Sequence, residues 1–69
     1  MYFMDLAFLM SDDCKIDGIF YDVNEKKFYR IKNFTFEKVL KLDEKFRYSR
    51  VDLVEVTQKN KVNVVCTVK

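Results

Sequence analysis

Three aspartates near the start of the chain are the residues best suited to binding a metal ion. Asp12, Asp13 and Asp17 lie close together, and clustered carboxylates suit Ca²⁺ or Mg²⁺. Their spacing differs from the EF-hand pattern, in which acidic residues alternate with others and a glutamate closes the loop. Aspartate is also common in turns. The sequence therefore predicts a turn at this position, with no metal ion and no cofactor.

Side chains suited to acid, base or nucleophilic catalysis are scarce. Histidine, the commonest general base at neutral pH, is absent from the sequence. Cys14 has Lys15 as its only basic neighbour in sequence, and a cysteine nucleophile needs an activating base. Asp43 and Glu44 are consecutive, so on a helix they point to different sides. The sequence predicts no catalytic residue and a protein that is not an enzyme.

A basic and aromatic segment, Lys26 to Lys32, suggests a different chemistry. Nucleic-acid strands stack on aromatic rings while basic side chains meet their phosphates. The residues predicted for such a surface, on the hairpin and on the helix that follows, are Lys27, Tyr29, Arg30, Lys32, Lys38, Lys41 and Lys45. The glycines of the RNA-recognition consensus are missing, and an ordinary half-buried hairpin fits equally well. Nucleic-acid binding is therefore the alternative hypothesis.

Hydrophobic spacing indicates which elements hold these residues. Apolar residues alternate through residues 1–10 with apolar neighbours on both sides, which predicts a central strand. The polar stretch 11–18 predicts a loop. Residues 19–23 and 28–31 predict a hairpin.

The second half of the chain predicts a helix followed by another hairpin. Thr35 is a suitable N-cap, and Phe36, Val39, Leu40 and Phe46 have helical spacing over about three turns. Residues 51–57 and 62–68 predict two strands. The expected fold is α+β, with an antiparallel sheet of about five strands, one helix packed on one face and the element order βββαββ.

Composition predicts a single domain over residues 1–69. With 49% hydrophobic and 16% aromatic residues in 69, the chain is rich enough in apolar residues to fold. Its apolar first ten residues contain Asp5 and fall short of the roughly 20 that a membrane helix needs. Cys14 and Cys66 form no CxxC pair. Without a secretion signal, reduced thiols and a cytoplasmic location are expected, with no membrane partner.

One short helix cannot cover both faces of the predicted sheet, so apolar surface should remain exposed. Such patches mark interaction sites. The main hypothesis is a non-enzymatic protein-binding module, an inhibitor or adaptor, that works through a sheet face or through the edge of strand 62–68. Its predicted anchors are Phe3, Tyr21 and Tyr29. A structural homodimer is a third hypothesis, and no small-molecule substrate is indicated.

The order of elements is similar to that of many tiny phage and mobile-element proteins that inhibit host enzymes. A hairpin that leads into the Phe-Thr-Phe-Glu helix start at residues 34–37, and from there back into strands, carries the resemblance. It is a likeness of size and topology without a residue motif. The resemblance implies a host protein as the partner.

Overall fold

Two β-hairpins build the sheet of this protein. The computed structural model describes residues 1–10 and 13–69. Its strands are β1 (Lys15–Asp22), β2 (Lys27–Phe34), β3 (Arg50–Gln58) and β4 (Lys61–Val68). β1 pairs with β2 and β3 pairs with β4, both antiparallel. The two hairpins predicted from the sequence are confirmed, with strands that are longer than expected.

The two hairpins join through a parallel pair. β1 runs parallel to β4, and the order across the described sheet is β2-β1-β4-β3. The sheet is therefore mixed, with four described strands in place of the predicted five antiparallel ones. β4 lies between β1 and β3, so both of its edges are already hydrogen-bonded. The predicted addition of a partner strand to the edge of residues 62–68 is wrong for that reason.

The segment of residues 1–10, where a strand was predicted, contains a helix. α1 (Phe3–Phe8) follows Tyr2, whose backbone N–H donates to the Asp5 carboxylate at 3.2 Å. Phe3, Leu6 and Ala7 are buried on one side of α1. Their spacing of three and four residues is helical, and it coexists in this segment with the alternation that suggested a strand. Packing against the sheet favours the helix.

The predicted central helix is divided into two. Thr35 caps α2 (Phe36–Leu40) by accepting a hydrogen bond from the Lys38 N–H, as expected. The backbone of Asp43 is extended, with ψ of 150°, and α3 (Glu44–Arg47) begins after it. The described element order is therefore αββααββ, a small α+β fold. Of the predicted loop at 11–18, residues 11 and 12 lie outside the described part, and Lys15 to Gly18 belong to β1.

All three described helices pack on one face of the sheet. Phe20 of β1 lies at the centre, with its ring edge-to-face against Phe3 at 5.1 Å and in a similar contact with Phe46 at 5.2 Å. The break between α2 and α3 is what allows Phe46 to reach this position. Gly18 leaves room for Ile31 and Val64, because a Cβ at Gly18 would lie 3.0 Å from the Ile31 Cγ1. We call this side of the sheet the covered face.

Two further features concern membrane-spanning helices and the two cysteines. No helix in the described part is long and apolar enough to cross a membrane. Cys14 and Cys66 are both buried as free thiols.

Candidate functional site

The polar residues of the covered face form a closed structural cluster. The Lys45 ammonium lies 2.9 Å from a Glu25 carboxylate oxygen and 3.2 Å from one of Asp22. Asp22 also accepts the backbone N–H groups of Asn24 and Glu25, and the Tyr29 hydroxyl donates to Glu25 at 3.1 Å. Lys45 is shared by the two carboxylates, and each carboxylate also accepts a hydrogen bond from a neutral donor, so the cluster fastens the β1–β2 turn to α3.

The pKa values in this cluster agree with a structural role. The hydrogen bond donated to Glu25 raises the pKa of Lys45 above its ordinary value. The backbone N–H of Glu25 is the main cause that lowers the pKa of Asp22, with Lys45 adding to it. Hydrogen bonds from Lys45 and then Tyr29 lower the pKa of Glu25, so all three groups are charged at neutral pH. A general acid or base needs a pKa near neutrality, and these shifts lead away from it.

Two buried side chains that could in principle be nucleophiles, Cys66 and Ser49, are not activated by any group in the described part of the chain. Burial raises the pKa of the Cys66 thiol to about 11, and the side chain is 0% exposed. Ser49 is buried beside it and donates its hydroxyl hydrogen bond to the Phe46 carbonyl at 2.6 Å. Among the described residues there is no group of three or more His, Cys, Asp or Glu side chains that could hold a metal ion. Asp12, one of the three aspartates considered for a metal, lies outside the described residues.

The opposite side of the sheet, which we call the open face, carries no described helix. Its side chains come from the alternate positions of the same strands, and pairing across the strands arranges them in rows. The central row contains Arg30, Ile19, Val65 and Leu53. Phe28 and Tyr21 lie side by side in the next row, with ring centroids 4.9 Å apart. Phe28 is 72% and Leu53 is 56% exposed.

A shallow groove of about 320 Å³ crosses the open face. Its floor is formed by β1 and β4 and includes Ile19 and Val65, while β2 and β3 supply its two sides. The twist of a sheet naturally makes such a concavity. The groove is a surface feature that extends across the described strands, and it differs in shape from an enclosed small-molecule cavity.

The two edges of the open face carry opposite charge. On β2 the exposed Arg30 and Lys32 form a basic edge, and on β3 the exposed Glu55 lies on the opposite side of the groove. None of these three has an ion-pair partner within residues 1–10 and 13–69. Asp52 also lies on the β3 side of the groove. Its carboxylate accepts a hydrogen bond from the Thr67 hydroxyl and forms an ion pair with Arg50.

Between the two edges lies one ion pair within the sheet. Asp17 of β1 accepts the backbone N–H of Asn33 at 2.8 Å and lies 3.4 Å from the Lys61 ammonium. The Asn33 hydrogen bond is the main cause that lowers the pKa of Asp17. Asn33 has a positive φ of 53° at the irregularity in the β1–β2 pairing. This contact fixes the end of β2, and with it the position of Lys32.

The three predicted protein-binding anchors lie in different places. Tyr21 is on the open face, next to Phe28. Phe3 is 0% exposed in the core of the covered face, so it cannot reach a partner while the domain is folded. Tyr29 is half-buried on the covered face, 5.0 Å from the Phe46 ring. The structure therefore leaves Tyr21 as the one predicted anchor on the open face.

The residues predicted for nucleic-acid binding are distributed over both sides of the sheet. Arg30 and Lys32 belong to the open face. Lys27 lies opposite Asp22 in the β1–β2 register and therefore on the covered face. The remaining members, Tyr29, Lys38, Lys41 and Lys45, also lie on the helical side. The sheet separates the two groups, so they do not form one continuous basic surface.

Four apolar residues of the open face were missing from the predicted site: Ile19, Phe28, Leu53 and Val65. The sequence contained a signal for them, because the strands carry apolar residues at both alternating sets of positions. What it lacked was the identity of the uncovered set, which depends on where the helices pack.

Comparisons with models of known protein families, with curated proteins and with solved structures found no match to this chain.

Proposed function

We propose that this domain is a non-enzymatic protein-binding module that works through its open face. The observation that carries the proposal is the apolar surface of that face: Phe28 and Leu53, on the two edge strands, are 72% and 56% exposed, and Ile19 and Val65 lie between them on the central strands. Exposed apolar patches of this kind mark interaction sites. An inhibitor or an adaptor would act in this way, by contact alone.

The arrangement of side chains on the open face supports a protein as the partner. Protein interfaces have an apolar, aromatic-rich centre and a polar rim. Here Ile19, Tyr21 and Val65 lie on the two central strands, and the charged Arg30, Lys32 and Glu55 lie on the edge strands, which also carry Phe28 and Leu53. Charges of both signs favour a partner that also carries both, which a protein surface does.

A comparison of wild-type and variant chains as bait tests this proposal. The immobilised chain is exposed to a nuclease-treated lysate of the source cells, alongside a Phe28→Ser/Leu53→Ser variant. Both substituted side chains are exposed, so the fold should survive. The expected result is a protein that the wild type retains and this variant loses.

A matched control removes the same amount of exposed apolar surface elsewhere. Leu9 and Val56 are each 75% exposed and lie away from the open face, Leu9 after α1 and Val56 on the covered side of β3. A Leu9→Ser/Val56→Ser variant should therefore retain the partner. Equal capture by all three chains would contradict the proposal, because the open face would then contribute nothing.

Nucleic-acid binding is a second candidate, favoured by the Phe28 and Tyr21 rings beside Arg30 and Lys32. Aromatic stacking combined with basic side chains is how single strands are held. Titration with DNA and RNA at two salt concentrations tests it, because phosphate contacts weaken steeply with salt. Absence of binding at low salt would contradict this candidate. The acidic groups of the same face, Asp17 and Glu55, count against it.

A further inference from the structure

The open face is complementary in charge to itself, and we infer that its partner is a second copy of this chain. This inference rests on the proposed function, since it names the occupant of the same face. Two sheets can stack face to face with their strands nearly aligned, about 10 Å apart. The question is which symmetric arrangement the side chains favour, because most homodimers have a two-fold axis.

A two-fold axis that runs along the strands, midway between β1 and β4, exchanges the two edges of the sheet. It places β2 of one copy over β3 of the other, and β1 over β4. In the charged row, which contains Lys32, Asp17, Asn63 and Glu55, Lys32 then faces Glu55 of the second copy. Because the axis is two-fold, this contact occurs twice.

The same axis also brings apolar side chains together. Ile19 and Val65 are partners across β1 and β4, so each faces the other residue in the second copy. Phe28 of β2 lies over the end of β3 that carries Arg50, where an aromatic face can accept a guanidinium. The apolar centre is buried, and the charges are left at the rim, as in known protein interfaces.

The alternative axis, in the same plane but across the strands, is disfavoured. It places β2 over β2 and β3 over β3. The basic edge with Arg30 and Lys32 would then lie over the same basic edge of the second copy. Like charges across an interface are repulsive. This repulsion between the two β2 edges favours the first arrangement.

The size of the face indicates a reversible dimer. Strands about 4.8 Å apart and about 3.3 Å per residue give the described sheet a face of roughly 500 Å² per copy. The total of roughly 1,000 Å² is near the lower limit of specific interfaces. Association should therefore depend on protein concentration, with monomers prevailing in the low micromolar range.

Charge reversal at the two edges gives a specific test. Lys32 and Glu55 lie on opposite edge strands, three strand spacings or about 14 Å apart, so within one chain they cannot pair. Lys32→Glu makes both contacts repulsive, as does Glu55→Lys. When the two variant chains are mixed, every contact between residues 32 and 55 joins opposite charges again. Restoration in the mixture therefore reports contact between two chains.

The measurement is sedimentation velocity over a range of concentrations, for the wild type, each variant and their equimolar mixture. We expect the wild type to dimerise with increasing concentration. Each variant alone should have a dimer dissociation constant at least about tenfold higher. The mixture should recover the dimer, and added salt should weaken this recovery. Glu37→Lys and Lys41→Glu, on exposed positions of the helical side, control for the change in net charge.

Three results would overturn the inference: a wild type that is monomeric at every concentration, a dimer that both variants leave unchanged, or variants whose mixture stays monomeric. The proposed function fails separately. A monomeric wild type that still captures another protein, and loses it on Phe28→Ser/Leu53→Ser, overturns the second copy as partner but supports the open face as a binding surface. Capture unaffected by that variant overturns the proposed function itself.

Discussion

The two faces of the sheet are built from the same strands and from similar residue types, yet their surroundings differ. On β1, Phe20 is 1% exposed beneath the helices, while its neighbours Ile19 and Tyr21 on the open face are half-buried. On β4, Cys66 is 0% exposed and the adjacent Val65 is half-buried. Apolar character alone therefore does not make a core. On the two central strands, one face belongs to the core, and the other stays partly exposed.

The largest expected difference between the two faces is in stability. Phe20→Ala removes a ring that packs on Phe3 and Phe46, and such substitutions cost about 3–5 kcal/mol. Tyr21→Ala, its neighbour on the open face, should cost about 1 kcal/mol. Urea unfolding followed by far-UV circular dichroism measures both free energies. If Tyr21→Ala were as destabilising as Phe20→Ala, the open face would belong to the core.

A domain of this size has little stability to lose, so Phe20→Ala can leave the chain unfolded. Phe20→Leu keeps most of the volume and should cost less than Phe20→Ala. Comparing the unfolding free energies of Phe20→Leu and Tyr21→Leu then tests the same difference between the two faces with variants that still fold.

Local sequence signals predicted the parts of the fold that depend on neighbouring residues. Both hairpins and the Thr35 cap were predicted because turns and caps are determined within a few positions. The first ten residues were assigned to the wrong element because two periodicities coexist there. Phe3, Leu6 and Ala7 satisfy the helical one, and burial against the sheet selects it.

The parallel pairing of β1 with β4 was not predicted, because it joins residues far apart in sequence. Ile16 pairs with Val62 and Phe20 with Cys66, and no local pattern distinguishes this from other strand orders. The candidate site depends on the same long-range arrangement. Excess apolar surface was predicted from the residues, but its location on the face with Ile19 and Val65 follows from the position of the helices.

Acid should destabilise the covered face through Asp22. Its pKa is lowered in the folded state, mainly by the Glu25 N–H, so its contribution is present above the unfolded pKa of about 4 and is lost as the pH falls through the lower folded value. Asp22→Asn should reduce stability at neutral pH, and the stability of this variant should fall less steeply as the pH is lowered. Lys45→Met removes the cation but keeps the N–H donors, so its pH dependence should stay closer to that of the wild type. Thermal unfolding between about pH 2 and 7 measures these slopes.

Two outcomes would contradict this account of Asp22. If Asp22→Asn had the same acid dependence as the wild type, the carboxylate would contribute nothing that is linked to its protonation. If Lys45→Met flattened the decline as fully as Asp22→Asn, the ion pair rather than the backbone N–H groups would cause the shift.

Gly18 tests how tightly neighbouring strands pack on the covered face. A Cβ added there would lie 3.0 Å from the Ile31 Cγ1 and 3.2 Å from a Val64 methyl. Gly18→Ala should therefore destabilise the domain by about 1 kcal/mol, since overpacking outweighs the gain in backbone entropy. Ile31→Val in the same chain removes the Ile31 Cδ1, which would lie 3.2 Å from the new Cβ, and should recover part of this loss, measured as a double-mutant cycle in urea. Simple additivity would contradict the overpacking explanation.

The smallest expected effect on stability belongs to Phe28, the most exposed aromatic of the open face. Its ring is 72% exposed and contacts Tyr21 at 4.9 Å, so Phe28→Ser should change the unfolding free energy of the dilute monomer by no more than about 1 kcal/mol. The same substitution should weaken self-association, because it removes from the proposed interface the ring that lies over Arg50 of the second copy. Urea unfolding at low concentration and sedimentation at high concentration separate the two effects. A loss of stability comparable to that of Phe20→Ala would place Phe28 in the fold, whereas unchanged stability and association together would exclude it from both.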